Sequence, residues 1–518
     1  MKRRLLLGLV LLLAFSVVVL GCSNGNAGKG TSEQKEQNAG NNGAVKEEGN
    51  KEGKKEELEP YEITMVYMAN DSEELNLIAE EMSKITKAKI NATVKLQPIN
   101  AGAWAQQVNL MLASQEKIDV ITTSSIFGFS SQAVAGYLLP LDELLANHGK
   151  SITDLIDKEF IDAGKINGTQ YAIPTNKDMA GQGGIVLRKD LAEKYNIDIT
   201  SIKSINDLEA VFEVIKKNEP NMLPLAIATP STLSPVDMIS NYDPLLDYNG
   251  VLPGYDNGLK VENPYELPEY MEALKIMRDW YQKGYISKDA ATNTEPTTEM
   301  AKAGKAFSFF NTVKVGSSES QSIRIGKPML AIPLTDIHST TSHVTGFMHS
   351  IPRGSKNPER AMMFIDLLYS DKELINILNW GIEGKHYVVK SGNVIDYPEG
   401  IDIKTVKYST NNISFMFGNQ FLNYVWPNQL PDIWEQTMQY NKNAAKSKAL
   451  GFTFDATPVK TEIGAVNNVK QQFKGGLETG TLDPEKVLPD YLSRLKQAGM
   501  DKIIAEKQKQ LDAWAKNQ

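Results

Sequence analysis

The chain has 518 residues, 41% of them hydrophobic, a formal net charge of −8 and a single cysteine. One cysteine excludes an intramolecular disulfide and a zinc-thiolate site, so stability must come from a core, for which this length supplies two large domains. The acidic balance, with no basic block interleaved with aromatics, argues against a nucleic-acid partner, because phosphate backbones reward the opposite charge. At the N-terminus, Lys2, Arg3 and Arg4 precede an apolar run from Leu5 to Leu20 and a small Gly21, the layout of a secretory signal peptide. The run is only about 16 residues, short of the roughly 20 needed to span a bilayer.

Val19-Leu20-Gly21-Cys22 resembles the lipobox of bacterial lipoproteins, which implies cleavage before Cys22 and lipidation of its thiol. An uncleaved membrane anchor is the alternative. Once Lys2, Arg3 and Arg4 are removed, 52 basic residues face 63 acidic ones, a net −11. Attachment must then come from lipid rather than from surface charge. From Ser23 to about Glu57 the chain is Gly, Asn, Lys, Glu, Gln and Ser with few apolar interruptions, so it is expected to be a disordered tether. Roughly 35 flexible residues reach on the order of 30 Å.

Tyr61 to Tyr67 alternates as a strand, Glu73 to Thr86 has helical spacing and Ile90 to Ile99 reads as a second strand. A helix from about Trp104 to Ser114 and a short buried strand from Lys117 to Thr123 follow. Strands alternating with helices predict an α/β lobe with a mainly parallel sheet, whose ligands sit beyond the carboxyl ends of its strands. Farther on, Ser204 to Lys217 and Met271 to Gly284 are predicted helices, and Gly304 to Asn311 and Thr345 to Pro352 predicted strands. Asn357 or Ser355 is placed to cap the helix that starts near Pro358.

Three separate stretches, Ile118-Asp-Val-Ile with its polar loop, Ala135-Gly-Tyr-Leu-Leu-Pro-Leu-Asp-Glu-Leu and Ile166-Asn-Gly-Thr-Gln-Tyr-Ala-Ile-Pro174, are similar to the extracellular solute-binding proteins of carbohydrate ABC transporters. Asn379-Trp-Gly-Ile-Glu-Gly-Lys-His-Tyr387, Gly451 to Ile463 and Glu506 to Trp514 resemble the larger sugar-uptake lipoproteins of that family, which carry an extra C-terminal module. The resemblance implies a two-lobed periplasmic-binding-protein-like (type II) α/β fold with crossing hinge strands. It divides the chain into a signal (1–21), a lipidated tether (22–59), a first lobe (60–174 and 350–395) and a second lobe with the C-terminal module (175–349 and 396–518). It also implies a monomeric, lipid-anchored receptor on the extracellular face of the cell membrane, which hands an oligosaccharide to ABC permease subunits without catalysis or cofactor. Met222 to Pro268 matches no part of that pattern.

No Gly-Lys-Ser/Thr phosphate loop, Gly-x-Ser-x-Gly elbow or His-Glu-x-x-His helix is present. His338 and His343 sit five apart in a polar stretch, and Asp243, Asp247 and Asn249 depart from the calcium-loop spacing, so exposed loops are expected rather than metal sites. A glycosidase needs only two carboxylates brought together by the fold, which spacing does not reveal. A secreted glycoside hydrolase or a carbohydrate-binding adhesin therefore remains as an alternative.

A sugar cleft needs aromatic faces for C–H stacking and side chains for hydroxyls. Trp104, Trp380 and Trp426 lie near expected loop–helix junctions beside polar residues, though tryptophan serves equally as core. Trp280, Trp434 and Trp514 are assigned to packing. Ser124, Ser125 and Phe127 align with a ligand-contacting loop of the family, and Asn176 and Asp178 follow the entry to the second lobe. Tyr242, Asp243 and Asn311 are candidates on the second lobe's edge, and Glu383 near the returning crossover, where a salt bridge is its other role.

Overall fold

The computed structural model describes residues 58–228, 234–410 and 413–516. The signal peptide, Cys22 and the tether as far as Glu57 lie outside the described residues. Tyr61–Met68 is the middle of three parallel strands, between Ala92–Ile99 and Val120–Thr123. Antiparallel Met348–Ser350 and then Ile173–Pro174 complete a five-stranded sheet. Both faces of this sheet are covered, so Ile63 to Met68 are all buried instead of alternating. Helix Leu75–Ile90 supplies part of that cover through Ile78, Met82 and Ile90. Asn91 ends it at φ 45°, a left-handed conformation that asparagine tolerates better than most residues. Asp119 of the Ile118-Asp-Val-Ile stretch is fully buried and accepts from Tyr61 Oη (2.6 Å), Thr64 N (2.9 Å) and Ser355 Oγ (2.7 Å), which welds the sheet to the return of the chain. Asn357 is the cap of helix Pro358–Ser370, accepting from Arg360 N at 3.0 Å.

The second sheet runs Met329–Pro333, Gln182–Arg188, Ala306–Val313, Leu223–Ala226, with the first three strands antiparallel and the last pair parallel. A Cβ on Gly183 would meet Met238 O at 1.3 Å, so only glycine lets helix Pro235–Ile239 lie directly on the strand. Two large cores result. One gathers Ile63 to Met179, Val344 to Leu378 and also Tyr408, Met416 and Phe417. The other gathers Ile185 to Leu334 with Ala449 to Leu511, so the C-terminal helices Lys460–Glu478, Pro484–Ala498 and Met500–Ala515 pack on the second sheet's lobe.

The chain thus passes between the cores three times, near Ala180, near Ile337 and from Gly418 to Lys448. The passages are tied to one another rather than independent. Asn176 N donates to Gly418 O (2.9 Å) and its side chain to Asn419 Oδ1 (3.0 Å), while Gly181 and His338 exchange backbone bonds and Ser447 N reaches Ser339 O. Beside them His349 is fully buried on Met348–Ser350, with Nε2 accepting from Gly418 N at 3.1 Å and the Tyr369 ring 6.5 Å away. Burial pushes its imidazole down to about 4 from the ordinary 6.5. The unfolded chain therefore takes up this proton first, and stability present above pH 6.5 is lost as pH falls toward 4, about 3 kcal/mol for this residue. Urea midpoints at pH 7 and pH 4.5 should differ less in His349→Gln than in the parent chain; equal differences would remove His349 from the acid response.

Candidate ligand-binding cleft

A cleft of about 270 Å³ opens beside the three passages. Its walls come from distant parts of the sequence. Helix Ser317–Ile325, which starts after Gly316, presents Glu319, Ser320 and Ile323. Helix Lys372–Trp380 ends at Trp380, and the turn Ser414–Met416 adds Phe415. Helix Ile433–Asn443 turns Ile433, Trp434, Thr437 and Tyr440 toward the space, a three-to-four-residue repeat along one face. Tyr424, Gln420 and Gln429 complete the wall formed by the third passage.

One charged pair crosses the floor. Lys314 Nζ donates to Asp178 Oδ2 at 2.9 Å, joining the first passage to the second sheet's lobe. Burial works to raise the Asp178 carboxyl, but the charges of Lys314 and Lys177 outweigh it and hold the group below its ordinary range. Asp178 is thus an ionised acceptor facing the cleft. Lys177 is buried, donating to Asp178 O (2.8 Å) and His343 O (3.1 Å).

Trp434 is half-buried, with Nε1 donating to Asn423 O at 2.8 Å, which fixes the ring plane. Trp380 sits edge-to-face with Trp426 at 5.7 Å, and Tyr397 lies 4.4 Å from Trp426. The indole N–H of Trp380 is buried without a hydrogen-bond partner among the described residues. Trp380 and Trp434 thus line a wall above a floor of carboxylate, ammonium and amide groups, with Trp426 and Tyr397 packed behind Trp380.

Of the residues singled out from the sequence, the structure brings Asp178 and Trp380 into this cleft, with Trp426 immediately behind. Trp104 is buried in the first core. Phe127 lies between Trp104 (6.3 Å) and Phe347 (6.5 Å), and Phe347 in turn packs at 5.2 Å on Phe415, so Phe127 reaches the cleft only through two other rings. Ser124 is buried and caps the turn Ser125–Phe127, and Ser125 bonds to Thr345 O. Asn176 is committed to Asn419. Asn311 lines a separate cavity of about 520 Å³ with Phe310 and Arg324. Tyr242 and Asp243 are buried, and Glu383 is exposed.

The cleft also holds Lys314, Phe415, Tyr424 and Trp434, which sequence reasoning did not place there. A signal existed for Tyr424, two residues before Trp426. None existed for Trp434, whose helical setting reads as packing. No group of three or more His, Cys, Asp or Glu among the described residues is placed to hold a metal. His338 stacks on Tyr255 at 4.4 Å, and His343 caps its own turn through Thr340 while burial pushes it to about 3.

The pattern of the bacterial extracellular solute-binding proteins matches residues 69–374, more than half of the chain. The chain belongs to that family. As a member it is a binding protein, not an enzyme. A domain of unknown function (DUF3502) matches residues 448–516, the segment packed on the second core. A carbohydrate ABC transporter substrate-binding protein of Streptococcus pneumoniae is 29% identical over 88% of this chain and 91% of its own length. The solved N-glycan transport solute binding protein (NgtS) from Streptococcus pneumoniae is 28% identical, covers 89% of this chain and 100% of its own, and has a TM-score of 0.79. The same protein in complex with Man1GlcNAc scores 0.68, with 88% of this chain and 100% of that one covered. In complex with Man5GlcNAc it scores 0.65, at 89% and 99% coverage.

Proposed function

We propose that this protein is the lipid-anchored extracellular receptor of a carbohydrate ABC importer, which captures an oligosaccharide in the aromatic cleft and delivers it intact to the permease. The observation that carries this reading is the cleft's composition: half-buried Tyr424 and Trp434 offer faces for sugar C–H groups with buried Trp380 at the edge of the wall, while Asp178, Gln420 and Gln429 offer hydroxyl partners. The chain is more similar to the solved form at TM-score 0.79 than to the two sugar complexes at 0.68 and 0.65, which fits a family whose conformation differs between structures, and ligand is expected to shift this chain toward closure of its cleft. Lobe one then comprises residues 60–174 and 350–395, joined in its sheet and core by Met348, His349, Tyr408, Met416 and Phe417. Lipid on Cys22 and the tether hold this monomeric receptor near its permease, which raises the local concentration.

A panel of N-glycan-type and other oligosaccharides tests the reading. A cognate glycan at about 100 times its Kd should stabilise the protein by about 2.7 kcal/mol, seen as a raised melting temperature, and contract it in X-ray scattering. Binding of peptides but not glycans would refute the substrate class. Hydrolysis of the bound glycan would refute transport and restore the glycoside hydrolase alternative.

A further inference from the structure

The loop after Tyr242–Asp243 is built around a positive charge that the chain supplies itself. Lys507, on the last helix, is fully buried. Its Nζ donates to the Asp247 carboxylate, to Gly250 O at 3.3 Å and to Leu245 O at 3.5 Å, and it lies 5.1 Å above the Phe454 ring. Three oxygens from six consecutive residues therefore converge on one ammonium, with an aromatic face closing another side. The loop is bent to do this. Leu245, Leu246 and Tyr248 have φ of 46°, 77° and 56°, the left-handed region that side-chain-bearing residues disfavour. Gly250 has φ 111°, and a Cβ there would meet Val261 Cγ1 at 2.7 Å. Asp243 Oδ1 and Asp247 Oδ1 accept from Leu245 N (2.8 Å) and Asn249 N (2.9 Å), which pin the curl. A second lysine of the C-terminal helices, Lys470, reaches Asn249 Oδ1 at 2.6 Å.

Hard cations are held by carboxylate and backbone carbonyl oxygens on one short loop. Here the converging oxygens are of that kind, while the occupant arrives from about 260 residues away in sequence. We infer that the 243–250 loop is a cation-binding site filled from within, and that the 448–516 module acts as a tethered cation whose Lys507 ammonium takes the place of a free ion. The arrangement gives the module a mechanical role. Tyr255, just beyond the loop, stacks on His338 in the second passage and accepts from Lys448 N at 3.0 Å, so seating Lys507 also positions the passages beside the cleft. Burial holds the Asp243 carboxyl above its ordinary range even with Lys507 near, as expected where one carboxylate already neutralises the ammonium.

Thermal melting of the full chain tests the site. The parent should be indifferent to EDTA and to added calcium chloride, because its site is occupied. Lys507→Ala should melt roughly 5 °C lower, and propylammonium chloride, which replaces the missing side chain, should restore most of the loss where equal sodium chloride or propanol does not. Lys507→Met/Asp247→Asn, which removes both charges, should melt above Lys507→Met and respond to no cation. An EDTA-sensitive parent would mean that a metal, not Lys507, holds the loop. A Lys507→Ala protein unmoved by propylammonium would reduce Lys507 to packing. Should Lys507→Ala fail to fold, the parent's EDTA response and the double variant decide: a double variant no more stable than Lys507→Met overturns the inference.

Discussion

Trp434→Ala is expected to weaken glycan binding about 30-fold, near 2 kcal/mol, with a much smaller effect on melting. The ring is half-buried at the mouth of the cleft and oriented by its bond to Asn423 O, so it is a rigid platform whose area is completed only by ligand. Trp426→Ala should behave in the opposite way. That ring is buried behind Trp380 against Tyr397, and its loss leaves a cavity of the kind that costs about 3–5 kcal/mol in a core. Isothermal titration and melting of the two variants separate platform from support. Equal losses of affinity would assign both to one wall, and unfolding of Trp434→Ala with normal residual affinity would return it to packing.

Lys474→Met should cost about 3–5 kcal/mol of stability. Lys474 Nζ lies 2.5 Å from Asp237 Oδ2 and 3.3 Å from Glu478 Oε2, and both carboxylate side chains are almost fully buried. Glu478 also accepts from Tyr270 Oη at 3.0 Å. Burial pushes the Glu478 carboxyl upward and Lys474 pulls it back, so removing the lysine leaves two carboxylates facing each other without a counter-charge. Proton uptake relieves that repulsion. The variant's deficit should therefore be larger at pH 8 than at pH 5, and adding Asp237→Asn and Glu478→Gln should recover much of it. A deficit that ignores pH would show that two uncompensated carboxylates are not its cause.

Much of the scaffold could be read in advance. Tyr61–Met68 was legible as a strand by alternation, Ala92–Ile99 and Ala306–Val313 as further strands, and helix Leu208–Asn218 by Leu208, Val211, Phe212 and Ile215 on one face. Asn357 announced the cap of Pro358–Ser370. The site was legible only where a junction marked it. Asp178 lies on the first passage and Trp380 ends a helix before Gly381, and both line the cleft. Trp104 carried the same junction signal and is core, because helix Ala101–Ala113 turns that side inward against the sheet. Asp247 and Asn249 read as an exposed polar loop, yet the C-terminal lysines cover them.

By itself the sequence determined much of the order of strands and helices and membership of the solute-binding family, since periodicity, caps and motifs act within a few residues of chain. Only the tertiary structure decided which aromatics share a wall and which charges neutralise each other. Asp178 meets Lys314 across 136 residues and Asp247 meets Lys507 across 260. Such pairings follow from how two cores and three passages pack together, and a helix face carries no local mark of whether it will meet a core or a cleft.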